Sequence, residues 1–348
     1  MKILYGIQAT GNGHISRSRV MAKYLQQANV EVTYLFSGRE KDKLFDMEVF
    51  GDFIHLPGLT FKTKDGNIDY VQTMLTNNIF RFMKDILTLD LTTYDLIITD
   101  FEPITAWAAK LVNKNALAIG HQYAFGDKTP ITGESYIAQK IMQYFAPAQQ
   151  SFGLHWSPYN DNVLPPIIDV ELKSSKDLGA ILVYLPFEDQ QYVTDMLSQF
   201  HSFDFIQYAQ DNKDEQYGNV HLKPASYHGF KTDLKNASAV ICNSGFELNS
   251  ECIHLGIPIL TKPIKGQMEQ ESNALSLQQL GYGQVMLELD EIVISHWLHH
   301  LPTQKQVRFP NVAQELVSWL ANEPKLTTSA FAEQLWQQCV PSANSINQ

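Results

Sequence analysis

The stretch that decides the fold is Ser238–Gly283, which reads SAVICNSGFELNSECIHLGIPILTKPIKGQMEQESNALSLQQLGYG. Its first apolar residues, Ala239–Cys242, predict a short buried strand, and a turn of small residues then leads into a helix predicted over Phe246–Leu255. Gly256 follows at the position where a left-handed helix cap is least costly, and the apolar run Ile257–Leu260 predicts the next strand. This order is a βαβ unit, so we expect a parallel α/β sheet.

The turn of that unit is a predicted ligand site. Asn243–Gly245 lie between strand and helix, where free amides and the positive end of a helix dipole face a ligand in open α/β sheets. Glu251 lies inside the helix, and Glu269 and Gln270 open the next one. Carboxylate and amide oxygens accept bonds from sugar hydroxyls, and a carboxylate can accept two from a vicinal diol such as ribose. Each carboxylate taken singly is equally compatible with an ordinary surface residue, so the joint pattern is the specific signal.

Together these residues resemble the nucleotide-sugar signature of GT-B glycosyltransferases, in particular a prokaryotic branch of the family of the N-acetylglucosaminyltransferase that forms lipid II. The matching pattern continues along the chain through Gly256, Ile257, Pro258, Pro263, Asn273, Ala274 and Gly281. By this resemblance, the donor diphosphate faces Ser244 and Gly245, the ribose is held by Glu251, and the donor sugar by Glu269 and Gln270.

The resemblance also implies an overall architecture and an activity. The fold would be α/β, with two Rossmann-like, doubly wound domains facing each other across a cleft. The activity would be inverting, metal-independent transfer of a sugar, of the N-acetylglucosamine type, from a UDP-sugar to an acceptor hydroxyl in the synthesis of cell-envelope polysaccharide. The UDP-sugar would be a co-substrate, and no separate cofactor is expected. The acceptor would be a glycan, a lipid-linked molecule or a small molecule.

A second ligand loop follows the first predicted strand and reads Gly11-Asn12-Gly13-His14. The glycines let a ligand approach the backbone closely, and the loop resembles the acceptor-side loop of GT-B enzymes. His14 opens the following helix, and imidazole is the side chain best matched to removing a hydroxyl proton near neutral pH, although packing or capping is the alternative. A dinucleotide fingerprint is incomplete here, because Ser16 takes the place of the third glycine, which argues against a nicotinamide enzyme.

A carboxylate at the end of a neighbouring strand is the expected partner of this histidine. Asp100 ends the strand predicted over Asp95–Asp100, and from there it could accept a bond from the ring of His14, fix its tautomer and stabilise the imidazolium. Plant-type GT-B enzymes are similar, with an aspartate behind their catalytic histidine. Two alternatives remain open: Asp100 could cap the next helix, or Glu102, before Pro103, could be the base.

Three further residues are candidates by resemblance. His121 and Gln122 follow the strand predicted over Ala116–Gly120 and resemble a His-Glu-Gln segment of the lipid II enzyme family without its acidic member. Only a general acceptor-side role is therefore carried over to them. Phe230, expected just before a helix, would border the base pocket and stack on uracil or pair with it through its backbone.

Length and patterning predict two domains with a linker between them. We expect an acceptor-side domain over residues 1–163, a linker over 164–178, and a nucleotide-sugar domain over 179–322. A last helix within 323–348 is expected to return to the first domain. A long helix is also predicted over Tyr70–Leu91, with an apolar face that is either core or lipid-facing.

Composition excludes several classes of protein. The formal charge of −11 and the absence of any run of Lys or Arg argue against a nucleic-acid partner. Cys242, Cys252 and Cys339 have neither metal-ligand spacing nor an even number, which favours a reducing compartment, and no metal site is expected. Because no run of about 18 apolar residues occurs, we expect a cytoplasmic protein without a transmembrane segment, with the inner face of the membrane as a place of peripheral contact.

Two other functions fit the same architecture. A nucleotide-sugar 2-epimerase would consume the donor without an acceptor. A non-catalytic nucleotide-sugar-binding protein would bind the donor without turnover.

Overall fold

Two parallel sheets, each covered by helices, make up the chain. The computed structural model describes residues 1–60, 62–64, 67–133, 140, 142–175, 179–322 and 326–341, and at 62–64, 67–71 and 74 it describes the backbone alone. The first sheet has the strand order β3-β2-β1-β6-β7-β8-β9, with all neighbours parallel. Its strands are β1 Lys2–Gln8, β2 Glu31–Ser37, β3 Phe53–His55, β6 Leu96–Asp100, β7 Ala116–Gly120, β8 Gln150–Leu154 and β9 Val163–Leu164.

The first sheet is buried on both faces, as its sequence requires. Both odd and even positions of β1, from Ile3 to Ile7, are apolar or glycine and inaccessible to solvent, the pattern of a central parallel strand. The helices of this half are α1 Asn12–Gln27, α2 Tyr70–Thr76, α3 Ile79–Thr88 and α4 Pro103–Leu111, with 3₁₀ turns at Lys41–Lys43, Glu48–Phe50 and His121–Ala124. A small hairpin is formed by β4 Lys62–Lys64 and β5 Asn67–Asp69.

The second sheet has the order β12-β13-β11-β10-β14-β15-β16 and is parallel except for its edge strand β12. Its strands are β10 Ile181–Tyr184, β11 Phe205–Ala209, β12 Glu215–Tyr217, β13 Val220–Pro224, β14 Val240–Asn243, β15 Ile259–Lys262 and β16 Gln284–Val285. Its helices are α5 Gln190–Ser198, α6 Tyr227–Asn236, α7 Phe246–Leu255, α8 Met268–Leu280 and α9 Glu291–His299. The prediction of two doubly wound α/β domains is confirmed.

The βαβ unit forms nearly where its sequence predicts. The helix α7 has the predicted bounds, and Gly256 caps it in the left-handed conformation, with φ of 74°. The strand after it begins at Ile259, two residues later than predicted, because the amide of Ile257 still donates to the carbonyl of Cys252 and closes the helix end. Phe230 lies inside α6 rather than before a helix.

The long helix predicted over Tyr70–Leu91 is wrong, since the structure has two helices, α2 and α3, in its place. Asn78 breaks the segment by capping α3, and its side chain accepts from the amide of Arg81 at 2.9 Å. The side chain of Asn77 is bonded to both backbone groups of Thr60. Asparagine competes with the helix for backbone groups, which explains the interruption.

The predicted apolar face of this segment divides in two. Phe82 and Ile86 pack against the first sheet domain, whereas Ile79 and Met83 are exposed. The sequence also predicts a helix near Ser135–Ala146, of which residues 135–139 and 141 lie outside the described residues.

The last two helices lie against the first domain. Helix α10 is Val312–Ala321, and Nδ2 of Asn311, the residue before it, donates to the hydroxyl of Tyr24 on α1 at 2.6 Å. In α11, Thr328–Gln337, Trp336 Nε1 donates to the carbonyl of Val163 at 2.6 Å. Strand β17, Val307–Arg308, precedes α10 and pairs antiparallel with β18, Val340–Pro341, which follows α11. Within the part of the chain that is described, no helix combines the length and apolarity needed to cross a bilayer.

Candidate active site

A cavity of about 1560 Å³ lies between the two sheets and is lined by both domains. Its walls include the loops at the carboxyl ends of the parallel strands, where open α/β sheets bind ligands. The predicted site residues that line it are Gly11, Asn12, Gly13, His14, Gln122, Phe230, Asn243, Gly245, Glu251, Glu269 and Gln270. Of the remaining predicted site residues, Asp100, His121 and Ser244 lie behind the wall with buried side chains.

The predicted histidine–aspartate pair is present at this wall. Nδ1 of His14 lies 2.7 Å from Oδ1 of Asp100, because β1 and β6 are neighbours and Ile7 is in register with Asp100. A carboxylate oxygen only accepts, so we assign the proton to Nδ1, which leaves the lone pair on Nε2. The side chain of His14 is 14% exposed and that of Asp100 is fully buried. The ring is thus oriented from behind and open on the cavity side.

A buried arginine that sequence reasoning missed completes this pair. Nε of Arg17 donates to Oδ2 of Asp100 at 2.6 Å, and its Nη2 donates to Oδ1. On its other side, Nη1 of Arg17 donates to Oε1 of Glu247, at the start of α7, at 2.5 Å. The spacing of His14 and Arg17, one helical turn apart on α1, was the available signal, since such residues share a helix face. Glu247 gave no such signal.

The pKa values in this cluster follow from burial and charge. Burial raises the pKa of the Asp100 carboxyl, but the charges and hydrogen bonds of Arg17 and His14 together bring it below its usual value. Burial also raises the pKa of Glu247, to about 7, although Arg17 acts against this. Burial would lower the pKa of the guanidinium, but the two carboxylates raise it. Asp100 is therefore a charged partner for His14.

Glu102 has a different place from the one expected of a base. Its carboxylate caps α4, accepting from the amides of Ile104 and Thr105 at 3.0 and 2.7 Å. It also accepts from the hydroxyls of Ser37 and Thr105. Glu102 is fully buried and does not line the cavity, and burial raises its pKa. The helix cap that was an alternative for Asp100 is therefore supplied by Glu102.

The residue between these two carboxylates has an uncommon backbone. Phe101 has φ of 52°, a left-handed conformation that costs a bulky residue on the order of 1 kcal/mol or more. Its ring packs against Tyr123 and Phe145 and lines the cavity. This turn lets Asp100 face α1 while Glu102 faces α4.

On the donor side, the predicted turn divides between the cavity and the core. Gly245 lines the cavity at the start of α7, and a Cβ added there would meet no other atom within 4 Å. Asn243 also lines it, with Nδ2 donating to the carbonyl of Lys262 at 3.1 Å. Ser244 instead has a fully buried hydroxyl, 3.0 Å from that of Thr261 on β15. Its side chain stabilises the sheet, so only its backbone lies near the turn.

Glu251 and Phe230 lie together on the cavity wall. Oε1 of Glu251 pairs with Nζ of Lys231 on α6. Phe230, the neighbour of that lysine in the chain, packs edge to face against Tyr184 and Tyr208, with ring centroids 5.4 and 5.1 Å away. An aromatic ring therefore lies beside a carboxylate that is paired with a partly buried cation.

Glu269 and Gln270, in the first turn of α8, have separate partners. Oε2 of Glu269 accepts from Nε2 of Gln122, across the domain boundary, at 2.9 Å. The same Nε2 lies 3.4 Å from Nε2 of His14. Gln270 accepts from the amide of Ile264 at 3.1 Å and so shapes the loop before α8.

His121 links the two domains behind the cavity wall. Its ring stacks on Phe246, with centroids 4.0 Å apart, and its Nε2 lies 2.6 Å from Oδ1 of Asn273 on α8. Its Nδ1 lies 2.7 Å from the carbonyl of Leu154. Burial lowers the pKa of His121. From this buried position His121 shapes the wall behind the cavity, and its side chain does not line the cavity itself.

A hydrogen-bond network joins the two domains at the glycine-rich stretch, where α1 begins at Asn12. Nδ2 of Asn12 donates to the hydroxyl of Tyr184 at the end of β10. Nη1 of Arg39 donates to Oδ1 of Asn12, and Nη2 to the carbonyl of Thr10. Gly13 lies so close to α7 that a side chain there would reach 3.1 Å from Cγ of Glu247. Arg39 and Tyr184 also line the cavity and were not predicted.

Nothing in this arrangement forms a metal site among the residues described, which contain no cluster of three or more His, Cys, Asp or Glu side chains able to hold an ion. The site has an oriented imidazole, the N-terminus of a helix, and carboxylate and amide oxygens that can accept hydrogen bonds from hydroxyl groups, all around one cavity. Such a set suits proton transfer from a hydroxyl next to a bound anion.

The chain belongs to glycosyl transferase family 1, whose sequence profile matches residues 1–302. A curated relative, an uncharacterized glycosyltransferase of Methanosarcina acetivorans, is 40% identical over 53 residues, and this match spans 15% of the chain and 14% of that protein.

Solved glycosyltransferases share the GT-B fold over nearly the whole chain. The glycosyltransferase of kitacinnamycin has a TM-score of 0.55 at 13% identity, covering 97% of both chains. SsfS6 of Streptomyces sp. SF2575, solved with thymidine diphosphate, has a TM-score of 0.52 at 12% identity, covering 97% of this chain and 99% of that one. MurG of Acinetobacter baumannii has a TM-score of 0.50 at 13% identity, covering 96% and 94%. MurG is no more similar than the other two, so this likeness extends to the fold and not to lipid II chemistry.

Proposed function

We propose that the protein is an inverting, metal-independent glycosyltransferase in which His14 deprotonates the hydroxyl of an acceptor. The observation that carries this proposal is the bond between Nδ1 of His14 and Asp100 at the wall of a cavity shared by two domains. It leaves the lone pair on Nε2, which the Gln122 amide approaches to 3.4 Å, as the proton acceptor on the cavity side. Family membership supports the same class of reaction.

The reaction would run as a single displacement. The acceptor oxygen attacks the anomeric carbon while its proton passes to Nε2 of His14, and the bond from that carbon to the phosphate oxygen breaks. Asp100 stabilises the resulting imidazolium. The negative charge on the leaving nucleoside diphosphate is stabilised by the amides at the start of α7, beside Gly245, and by Arg39. One displacement inverts the anomeric centre.

We place the nucleotide on the wall formed by Phe230 and Glu251. The ring of Phe230 would border the base and Glu251 would accept bonds from the ribose diol, with Lys231 holding the carboxylate in place. Glu269 and Gln270 would face the donor sugar. We expect a UDP-sugar of the N-acetylglucosamine type, and because SsfS6 was solved with thymidine diphosphate, TDP is the alternative to test first.

Nucleotide binding is measured first, by thermal unfolding with UDP, TDP, GDP, NAD and a panel of UDP-sugars. A ligand at 100 times its Kd stabilises the folded state by about 2.7 kcal/mol. We expect this with uridine ligands, and we expect it to be lost in Glu251→Gln. Ser250→Ala is the matched control, since Ser250 lies on the same helix but away from the cavity. No response to any uridine or thymidine ligand would remove the nucleotide site.

Turnover tests the base. With the donor found in that screen and a panel of acceptors, His14→Ala should lose about 10²-fold or more in kcat while donor affinity is kept. Unchanged turnover would exclude His14 as the base. Conversion of the donor to an epimer without any acceptor would favour the epimerase, and binding without turnover would favour the non-catalytic protein.

A further inference from the structure

Two charged residues, Arg17 and Glu247, lie behind the dyad formed by His14 and Asp100. Arg17 bonds to both oxygens of Asp100, and its side chain is only 2% exposed. Its Nη2 also lies 2.7 Å from Nδ1 of His14. Since both nitrogens donate to Oδ1 of the same carboxylate, the positive charge of Arg17 acts directly on the imidazole.

The other partner of Arg17 comes from the second domain. Glu247 accepts from Nη1 of Arg17 and is also buried. A Cβ added at Gly13, next to His14 on α1, would lie 3.1 Å from Cγ of Glu247, so α1 and α7 approach closely at this point. The ion pair therefore forms only while α1 of the first domain and α7 of the second are in contact.

The charge balance of the cluster has a consequence for a general base. A buried aspartate with a histidine as its only partner favours the imidazolium, which cannot take up a proton. Arg17 offsets the charge of Asp100 and so favours the neutral ring. The negative charge of Glu247 in turn partly cancels the positive charge of Arg17. It therefore limits how strongly the guanidinium opposes protonation of the His14 ring during the reaction.

We propose that Arg17 and Glu247 are positioning residues that set the protonation balance of His14, and that the donor domain completes the base by supplying Glu247. This inference rests on the proposed role of His14 as the base. It adds that the strength of the base depends on contact between the two domains.

The other titratable groups around the ring do not replace this pair. Glu269 faces His14 only through Gln122. Tyr5 and Tyr123 lie near Asp100, and burial raises the pKa of both, which keeps them neutral. Glu247, with its pKa near 7, is the group whose charge changes in the range where an imidazole works.

The test reads the protonation of His14 without any substrate. Nitrogen NMR of the imidazole rings is followed against pH in protein labelled at histidine, with His14→Ala to identify the signal. In Arg17→Met, the pH midpoint of His14 protonation should rise by about 1 to 3 pH units, because a like charge is removed. In Glu247→Gln it should fall by up to about one unit, because an opposite charge is removed.

Two controls separate this effect from a loss of structure. Ser250→Ala removes a bond between Ser250 and Trp156 that also joins α7 to the first domain, and it should leave the midpoint unchanged. Arg17→Lys keeps the positive charge, so its midpoint should lie close to that of the native protein, without most of the shift seen in Arg17→Met. If the Met variant does not fold, Glu247→Gln alone decides, since its shift has a sign that disruption of packing does not predict.

Opposite shifts in the two variants support the inference, and the acid limb of the turnover profile should then move in the same two directions. Shifts in the same direction, or no shift in Glu247→Gln, overturn it. Failure of the proposed function has another signature, since His14→Ala would then retain turnover while the NMR shifts still occur.

Discussion

Replacing Glu247 by glutamine should change how stability depends on pH. Glu247 is buried against Arg17, and burial raises its pKa from the usual 4.5 to about 7. A carboxyl whose pKa is higher in the folded state stabilises that state at low pH, and this contribution is lost as the pH rises from about 4.5 to about 7. Glutamine cannot ionise and still offers an oxygen to Arg17, so the variant should lack this loss.

The magnitude follows from the same pKa values. A shift from 4.5 to about 7, at about 1.4 kcal/mol per pH unit, lowers the free energy of unfolding of the native protein by roughly 2 to 3 kcal/mol between pH 5 and pH 8. The difference in free energy of unfolding between variant and native protein should therefore shift by roughly 2 to 3 kcal/mol in favour of the variant over that interval, whatever it is at pH 5.

Urea unfolding at four or five pH values measures this difference directly, from midpoints and slopes. Glu333→Gln, which replaces an exposed carboxylate on α11, serves as the control and should run parallel to the native protein. If the free energy of unfolding of Glu247→Gln runs parallel to that of the native protein, or falls relative to it as the pH rises, the environment assigned to Glu247 is wrong.

Three other substitutions test separate parts of the site. Glu102→Gln should cost about 1–3 kcal/mol in urea unfolding, because the NH2 of glutamine cannot accept a bond from the amide of Ile104 or Thr105. Its kcat should change less than about threefold, whereas a loss of kcat near 10²-fold would make Glu102 the base. Gly6→Ala should cost about 1–3 kcal/mol by the same measurement, since its Cβ would overlap the Thr105 side chain, and an unchanged midpoint would contradict this packing. His121→Ala should lower the thermal midpoint through a cavity between the domains while nucleotide affinity by calorimetry is retained, and a selective loss of affinity would place His121 at the ligand.

The dyad was predictable because it depends on neighbouring parallel strands. The carboxyl ends of β1 and β6 meet at one sheet edge, so a histidine after one and an aspartate at the end of the other come together. The cap at Gly256 was predictable for a similarly local reason, since glycine adopts a left-handed conformation at little cost. Both inferences need only sequence pattern and sheet geometry.

The Arg17–Glu247 pair could not be found in this way. The two residues are separated by 230 positions in the chain, and their contact depends on how the two domains dock. The burial of Ser244 has another origin, because its hydroxyl lies 3.0 Å from that of Thr261 on β15 of the same sheet. The break at Asn78 depends on a bond between the adjacent Asn77 and Thr60, which helical periodicity does not report.

The return of α10 and α11 to the first domain makes the second domain an insertion, with the chain leaving after β9 and coming back before α10. A body tethered at two points rotates about the line that joins them, whereas a body on a single tether can tumble. Opening and closing of the cavity should therefore follow one hinge axis. A fusion partner attached before β1 would move with the first domain and leave that rotation free.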